Sequence, residues 1–426
     1  MKIPNPTRRD LLSLAATTAA ASAAPRALMG VGRAEEERRG EAKNRNSAAF
    51  EDVWRLVRDR FYDPGLNGLD WSAMRELYAP KAEDAASREE LASVINAMLA
   101  KLGASHTRYY TADEPAFYQL ADIFRGALEH RGLERIFAKG EVSYPGVGVF
   151  THSDADGRTF VTGVIEGAPA EKAGLLLGDE IVSADGRPFR PVASFRDRVG
   201  ASVPLAIRRS RGDTPLTIAV VPADLHPNDM FLQGLKSSAR LVMSGGARIG
   251  YAHVWSYAGR MYQSALEDLI SEGPLREAEA LIWDLRDGGG GAQPQYLDLF
   301  NPRAPTMQVK DRNGETGFVD TKWRKPVAAL INGGTRSGKE VLAYGFKEYR
   351  IGELVGSRTE GAVLAATAFL VGEDGLLLLA VEDVLVDGTR LEGVGVTPTI
   401  EVAFDPRYAA GRDPQLERAV QILSRS

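Results

Sequence analysis

Along the 426 residues of this chain the spacing of apolar side chains changes twice, and each spacing suits a different kind of element. Phe50, Val53, Trp54, Val57 and Phe61 fall at i, i+3, i+4, i+7 and i+11, one stripe of a helix. Pro64 closes that stretch, because a proline disfavours helix in the residue before it. Ser87-Arg88-Glu89-Glu90 reads as a capping box, and the stripe Leu91, Val94, Ile95, Met98, Leu102 follows until Gly103 stops it. Residues 45–140 are therefore expected to form a small helical domain, and the charged stretch 35–47 before it a tether. From Tyr144 the period becomes two, in short runs such as Phe160–Val164 and Leu216–Val220 separated by turn residues. After about residue 225 continuous apolar runs at 281–286 and 327–332 alternate with helical stretches, the pattern of buried parallel strands. The fold class expected is α+β and multidomain, with parts at 45–140, 141–222 and 225–426.

Composition removes several chemistries. There is no cysteine, so thiol nucleophiles, disulfides and zinc–thiolate or iron–sulfur sites are excluded. Five histidines spread along the chain offer little for a metal cluster, and a net charge of −5 argues against a generally basic nucleic-acid binder. Residues 1–34 read as a twin-arginine-like export signal: Arg8-Arg9, an uncharged run from Leu11 to Ala24, and small residues at its end. The run is shorter than the roughly 20 residues a spanning helix needs. A periplasmic or secreted protein follows, with no stable membrane anchor once the signal is removed.

Two loops after buried strands are suited to chemistry. In Asp284-Leu285-Arg286-Asp287 and the four glycines 288–291 the backbone can turn sharply and leave N–H groups unobstructed, as an oxyanion hole requires. In Asn332-Gly333-Gly334-Thr335-Arg336-Ser337-Gly338-Lys339-Glu340 a serine stands between a strand and a helix, where its Oγ projects from the sheet. Gly333, Gly338 and Lys339 imitate a nucleotide-binding loop, but Glu340 occupies the place of the Ser or Thr that holds magnesium. A serine nucleophile needs a base. The candidates are His106, on a loop after a helix stop, and Lys339, which two residues from Ser337 on a helix does not face it.

The blocks Gly146-Val147-Gly148-Val149, 166–175 and 178–186 resemble a PDZ domain. With Asp70-Trp71, Leu102-Gly103-Ala104-Ser105-His106-Thr107, the two loops above, Thr359-Glu360-Gly361-Ala362 and Leu391–Pro398, the chain resembles the carboxyl-terminal (tail-specific) processing serine peptidases, over roughly 48–403. The resemblance implies an N-terminal helical domain, a PDZ-like β domain and a crotonase-like α/β catalytic domain. One branch of that family uses a Ser/Lys dyad with lysine after the glycine of a Thr-x-Gly-Lys segment, and here that position is Ala362. The tricorn-like branch uses Ser, His and Glu. The resemblance then implies Ser337 as nucleophile, His106 as general base and acid, and Glu392 orienting the imidazole. It also implies an oxyanion hole from Gly338 with Gly289 or Gly290, and peptide binding at Gly146, Val147, Gly148 and Val149. The expected partner is a polypeptide held through its carboxyl terminus, with no cofactor, metal or nucleic acid. The competing expectation, motivated by the missing lysine and by Arg336 and Lys339 beside the serine, is a peptide-binding scaffold without turnover.

Overall fold

The computed structural model describes residues 24–425. Arg8, Arg9 and residues 11–23 of the expected export signal lie outside them. A helix spans Ala24–Arg60 and includes 35–47, so that stretch is helical and not the expected tether. Glu, Arg, Lys and Ala dominate that stretch, and they are strong helix formers without any apolar stripe. Lys43 Nζ, 2.6 Å from Asp84 Oδ1, and Asn46 Nδ2, donating to Ala85 O at 3.0 Å, tie it down. Phe50, Val53 and Val57 face inward against helices Trp71–Glu83 and Arg88–Leu99. Both helices are capped as their sequences suggest, Asp70 accepting from Ala73 N and Ser87 from Glu90 N.

Residues from far along the chain complete this unit. Strands Ala365–Val371 and Gly375–Glu382 form a hairpin whose second strand pairs antiparallel with Arg108–Thr111. Phe369, Leu377 and Leu379 share one core with Phe50, Ile95 and Met98. The small sheet therefore fixes two loops relative to each other, the one entering Arg108 and the one entering Ala365.

The middle of the chain is a five-stranded antiparallel sheet, in the order Val149–Ser153, Thr159–Val164, Glu180–Ala184, Val203–Arg208, Leu216–Val220. Its core is Val147, Val161, Ile181, Phe195, Leu205 and Ile207. Val149–Ser153 is an edge strand of this sheet. The last part has a six-stranded sheet in the order Ile400–Glu401, Glu353–Gly356, Val327–Ile331, Ala280–Asp284, Ala247–His253, Arg240–Ser244. All its pairings are parallel except the last. Ala280–Asp284 and Val327–Ile331 are buried along their whole length, which is why they read as unbroken apolar runs. The multidomain α+β class read from the sequence is that of the chain, with the hairpin at 365–382 packed on the N-terminal unit and not with the last part. Among the described residues no helix is long and apolar enough to cross a membrane.

Candidate active site

The carboxyl ends of the two central strands carry the loops of interest. After Ile331, Asn332 Oδ1 accepts from Gly334 N at 2.9 Å and from Asp287 N at 3.3 Å, while Asn332 Nδ2 donates to Asp287 Oδ2 at 3.1 Å. Thr335 Oγ1 donates to Leu285 O at 3.1 Å. The serine loop and the glycine turn are thus laced together before either meets a substrate. Ser337 has φ 58° and ψ −133°, in the positive-φ region that an L-residue rarely occupies, and helix Gly338–Glu348 begins directly after it. Strain of this kind is held only where the surroundings over-determine it. Here Ser337 N donates to Ala362 O at 2.8 Å and to Glu340 Oε2 at 3.2 Å.

Glu340 explains why the nucleotide-loop likeness fails. Its fully buried carboxylate accepts from Thr359 Oγ1 at 2.5 Å and from Gly361 N and Ala362 N, both at 2.7 Å. Burial raises its pKa and these donors hold it back. It clamps the 359–362 loop onto the serine loop instead of facing a phosphate. Ala362, at the position where the Ser/Lys branch is expected to carry its base, is buried with its carbonyl on the Ser337 N–H.

Lys339 is also fully buried, and its Nζ donates to Asp287 O at 2.8 Å and Trp255 O at 3.2 Å. It supports the glycine turn from beneath. Burial is the main cause that lowers it to about 7, against the raising effect of Asp284 and Asp287. In the unfolded chain it titrates near 10.5. As pH falls from 10.5 toward 7 the unfolded chain takes up a proton that the folded chain does not, so stability declines across that window. Lys339→Met, which cannot titrate, is expected to show a shallower fall in urea midpoint between about pH 10 and about pH 8 than the parent chain.

The candidate N–H groups of the glycine turn differ. Gly289 N donates to Trp255 O at 2.7 Å, so that N–H is occupied and the expectation for Gly289 is not met. Gly290 N and Gly338 N donate to no protein group among the described residues. A Cβ on Gly290 would lie 2.5 Å from Ser337 Cβ and 3.0 Å from its Oγ, and one on Gly338 would lie 2.4 Å from Ala292 N. Only glycine permits that approach, which brings the Gly290 backbone against Ser337.

His106 comes from the loop that enters Arg108, at φ 50°. Its Nδ1 lies 3.0 Å from Ser105 Oγ, and Ser105 Oγ donates to Glu392 Oε2 at 2.8 Å. The resemblance implies that Glu392 orients the imidazole; here it reaches the ring through the Ser105 hydroxyl. Glu392 also accepts from Ser105 N at 2.9 Å, Val363 N at 2.9 Å and Leu364 N at 3.3 Å. Since an ionised carboxylate only accepts, the Ser105 proton goes to Glu392 and the hydroxyl must accept from His106 Nδ1–H. Nε2 is then left with its lone pair. Burial first, then the Arg336 charge, lowers His106 to about 4, with Glu392 opposing, so it is neutral near pH 7. Among the described residues no hydrogen bond joins His106 to Ser337 Oγ. The two are linked through adjacent residues, Ser337 to Ala362 and Val363 to Glu392.

Residues 248–402 match peptidase family S41, residues 43–100 the tricorn protease C1 domain and residues 160–209 a PDZ domain. The part from 248 to 402 is thus similar to the S41 peptidases. It is 28% identical over 395 residues to "Putative tricorn protease homolog 2" of Streptomyces coelicolor, covering 88% of this chain and 32% of the relative. It is 26% identical over 379 residues to "Carboxyl-terminal-processing peptidase 3, chloroplastic" of Arabidopsis thaliana, covering 82% and 67%. The chain thus spans about a third of the tricorn homologue's length and about two thirds of the processing peptidase's. The crystal structure of the tricorn protease shares the fold, with TM-score 0.52 at 18% identity over 90% of this chain and 37% of that one.

Ser105 is a candidate site residue beyond those expected from the sequence, although it stands in the Leu-Gly-x-Ser-His segment. Its hydroxyl beside the histidine was the available signal. In the PDZ part, Val147 O and Gly148 O are taken by Ala170 N and Ile165 N, while the N–H groups of Val147 and Gly148 donate to no protein group among the described residues. Gly146 lies in a short strand pairing with Ala223–Leu225, and Val149 opens the edge strand. Phe150 on that strand stacks on Trp255 with centroids 5.4 Å apart, and Trp255 O is the acceptor of Gly289 N and Lys339 Nζ. The PDZ edge and the glycine turn thus share one tryptophan.

Proposed function

We propose that this chain is an exported serine peptidase that cleaves extended polypeptides through an acyl-enzyme at Ser337. The observation that carries the reading is the relay Glu392–Ser105–His106 beside a serine at positive φ with two unoccupied glycine N–H groups next to it. His106 Nε2 takes the Ser337 Oγ proton as Oγ bonds to the substrate carbonyl carbon, and the C=O electron pair moves onto oxygen. The N–H groups of Gly290 and Gly338 hold that oxyanion. Collapse expels the amine, which leaves with the proton from His106, and water then cleaves the acyl-serine by the same steps. Glu392 stabilises the transient imidazolium through Ser105. The Ser337–His106 hydrogen bond forms in the substrate complex, where catalytic contacts shorten.

The relatives named as carboxyl-terminal-processing peptidases support a substrate engaged by its carboxyl terminus. The edge strand 149–153 and the free Val147 and Gly148 N–H groups are suited to that engagement by strand addition. The test is incubation of the purified chain with an unfolded polypeptide and, separately, a fluorophosphonate probe. Hydrolysis and labelling at Ser337 are expected; neither occurring between about pH 5 and about pH 9 would overturn the reading. Export rests on the Arg8-Arg9 signal. Changing both arginines to lysine is expected to hold the chain in the cytoplasm, measured by fractionation.

A further inference from the structure

The residue before the nucleophile carries a full charge that the mechanism above does not use. The Arg336 guanidinium is anchored by Nε to Gly288 O at 3.2 Å, so it bridges the serine loop and the glycine turn. Its Nη1 and Nη2 groups donate to no protein group among the described residues. The nearest carboxylate, Glu360, is 3.9 Å from Nε, with both side chains 43% exposed. An ion pair that long and that wet is weak and readily exchanged. Neighbouring arginines differ. Arg108 is committed to Glu114 at 2.6 Å, and Arg286 forks between Asp284 and Asp413 at 2.6 and 2.7 Å.

We propose that Arg336 is a carboxylate-binding subsite of this centre, which directs cleavage to bonds beside an acidic side chain or the chain's own terminal carboxylate. The inference rests on the peptidase reading of Ser337. A guanidinium presents parallel N–H groups whose spacing matches a carboxylate, and Arg336 holds its fork open beside the reacting serine. Glu360 is the resting occupant that a substrate carboxylate displaces. The charge also reaches the catalytic base and the Tyr110 ring: Arg336 adds to the burial that lowers His106 and opposes the burial that raises Tyr110. A carboxylate bound to Arg336 screens that repulsion at the moment His106 becomes cationic. An acidic substrate then gains in kcat as well as in KM.

The experiment uses peptide pairs differing by Asp against Asn next to the scissile bond, each with a free or amidated carboxyl terminus, with cleavage sites mapped by mass spectrometry. In the parent chain kcat/KM is expected to favour the carboxylate member by about tenfold or more. The Asp/Asn comparison reports a side-chain source and the free/amidated comparison a terminal one. In Arg336→Gln the preference is expected to fall close to one, and in Arg336→Glu to turn toward peptides carrying Lys at the same place. Parent ratios within about twofold in both comparisons, or a preference that persists in Arg336→Gln, overturn the subsite while turnover of neutral peptides leaves the peptidase reading standing. Absence of cleavage of every peptide overturns both.

Discussion

Ser337→Ala is expected to lower kcat for peptide hydrolysis by about ten-thousandfold or more and to abolish fluorophosphonate labelling. The expected loss is this large because no other group can replace the hydroxyl. Among the neighbours Ala362 offers only a methyl group and a carbonyl, Lys339 points its Nζ at Asp287 O and Trp255 O, and Glu340 is saturated with donors. The variant should still fold. The turn is held by the Ser337 N–H on Ala362 O and Glu340, and alanine keeps both the N–H and a Cβ that already tolerates φ 58°. Unchanged circular dichroism with lost hydrolysis is the expected pair of results. Retained hydrolysis in a folded variant would assign the nucleophile elsewhere.

What the sequence made legible was whatever depends on neighbours along the chain. The N-cap at Ser87, the unbroken apolar runs at 281–286 and 327–332 and the turn-separated strands after Tyr144 became the elements they suggested, although Glu90 returns to Ala86 N and not to Ser87 N as a capping box would. Contacts between distant segments were not legible. Strand Arg108–Thr111 has only four residues, too few for a period to show, and its partner lies at 375–378. Glu392 and Ser105 stand 287 positions apart, so local sequence shows a hydroxyl beside His106 but not the carboxylate it reaches. Gly289 and Gly290 are identical as letters. Only the Trp255 carbonyl, contributed by another strand end, occupies one N–H and leaves the other free. The same holds for Glu340, where sequence signals a missing magnesium ligand and folding supplies the four donors that give it a role.

Ser105→Ala is expected to cost about a hundredfold or more in kcat, although Ser105 touches neither substrate nor the reacting atoms. Its hydroxyl accepts from His106 Nδ1–H and passes its own proton to Glu392. Without it the imidazole loses the contact that selects the tautomer with a free Nε2, and Glu392 loses its path to the imidazolium. A structural role alone would predict something different, because Ser105 N still donates to Glu392 in the alanine variant. Ser105→Thr, which keeps the hydroxyl, is expected to restore most of the rate. Adding Glu392→Gln to Ser105→Ala should cost little more, since the two residues act as one relay. The pH profile separates this relay from the charge on its other side. The groups acting on His106 are Arg336, which lowers it, and Glu392, which raises it, both on top of burial. With the base at about 4, kcat/KM should stay flat from neutrality until about pH 5 and fall below that as Nε2 is protonated. Glu392→Gln removes the raising charge and should move that fall to lower pH. Arg336→Gln removes the lowering charge and should move it to higher pH. Shifts of opposite sign from two residues on either side of one imidazole are what a base held between them requires. Coincident profiles for both variants would mean that His106 is not the group being titrated.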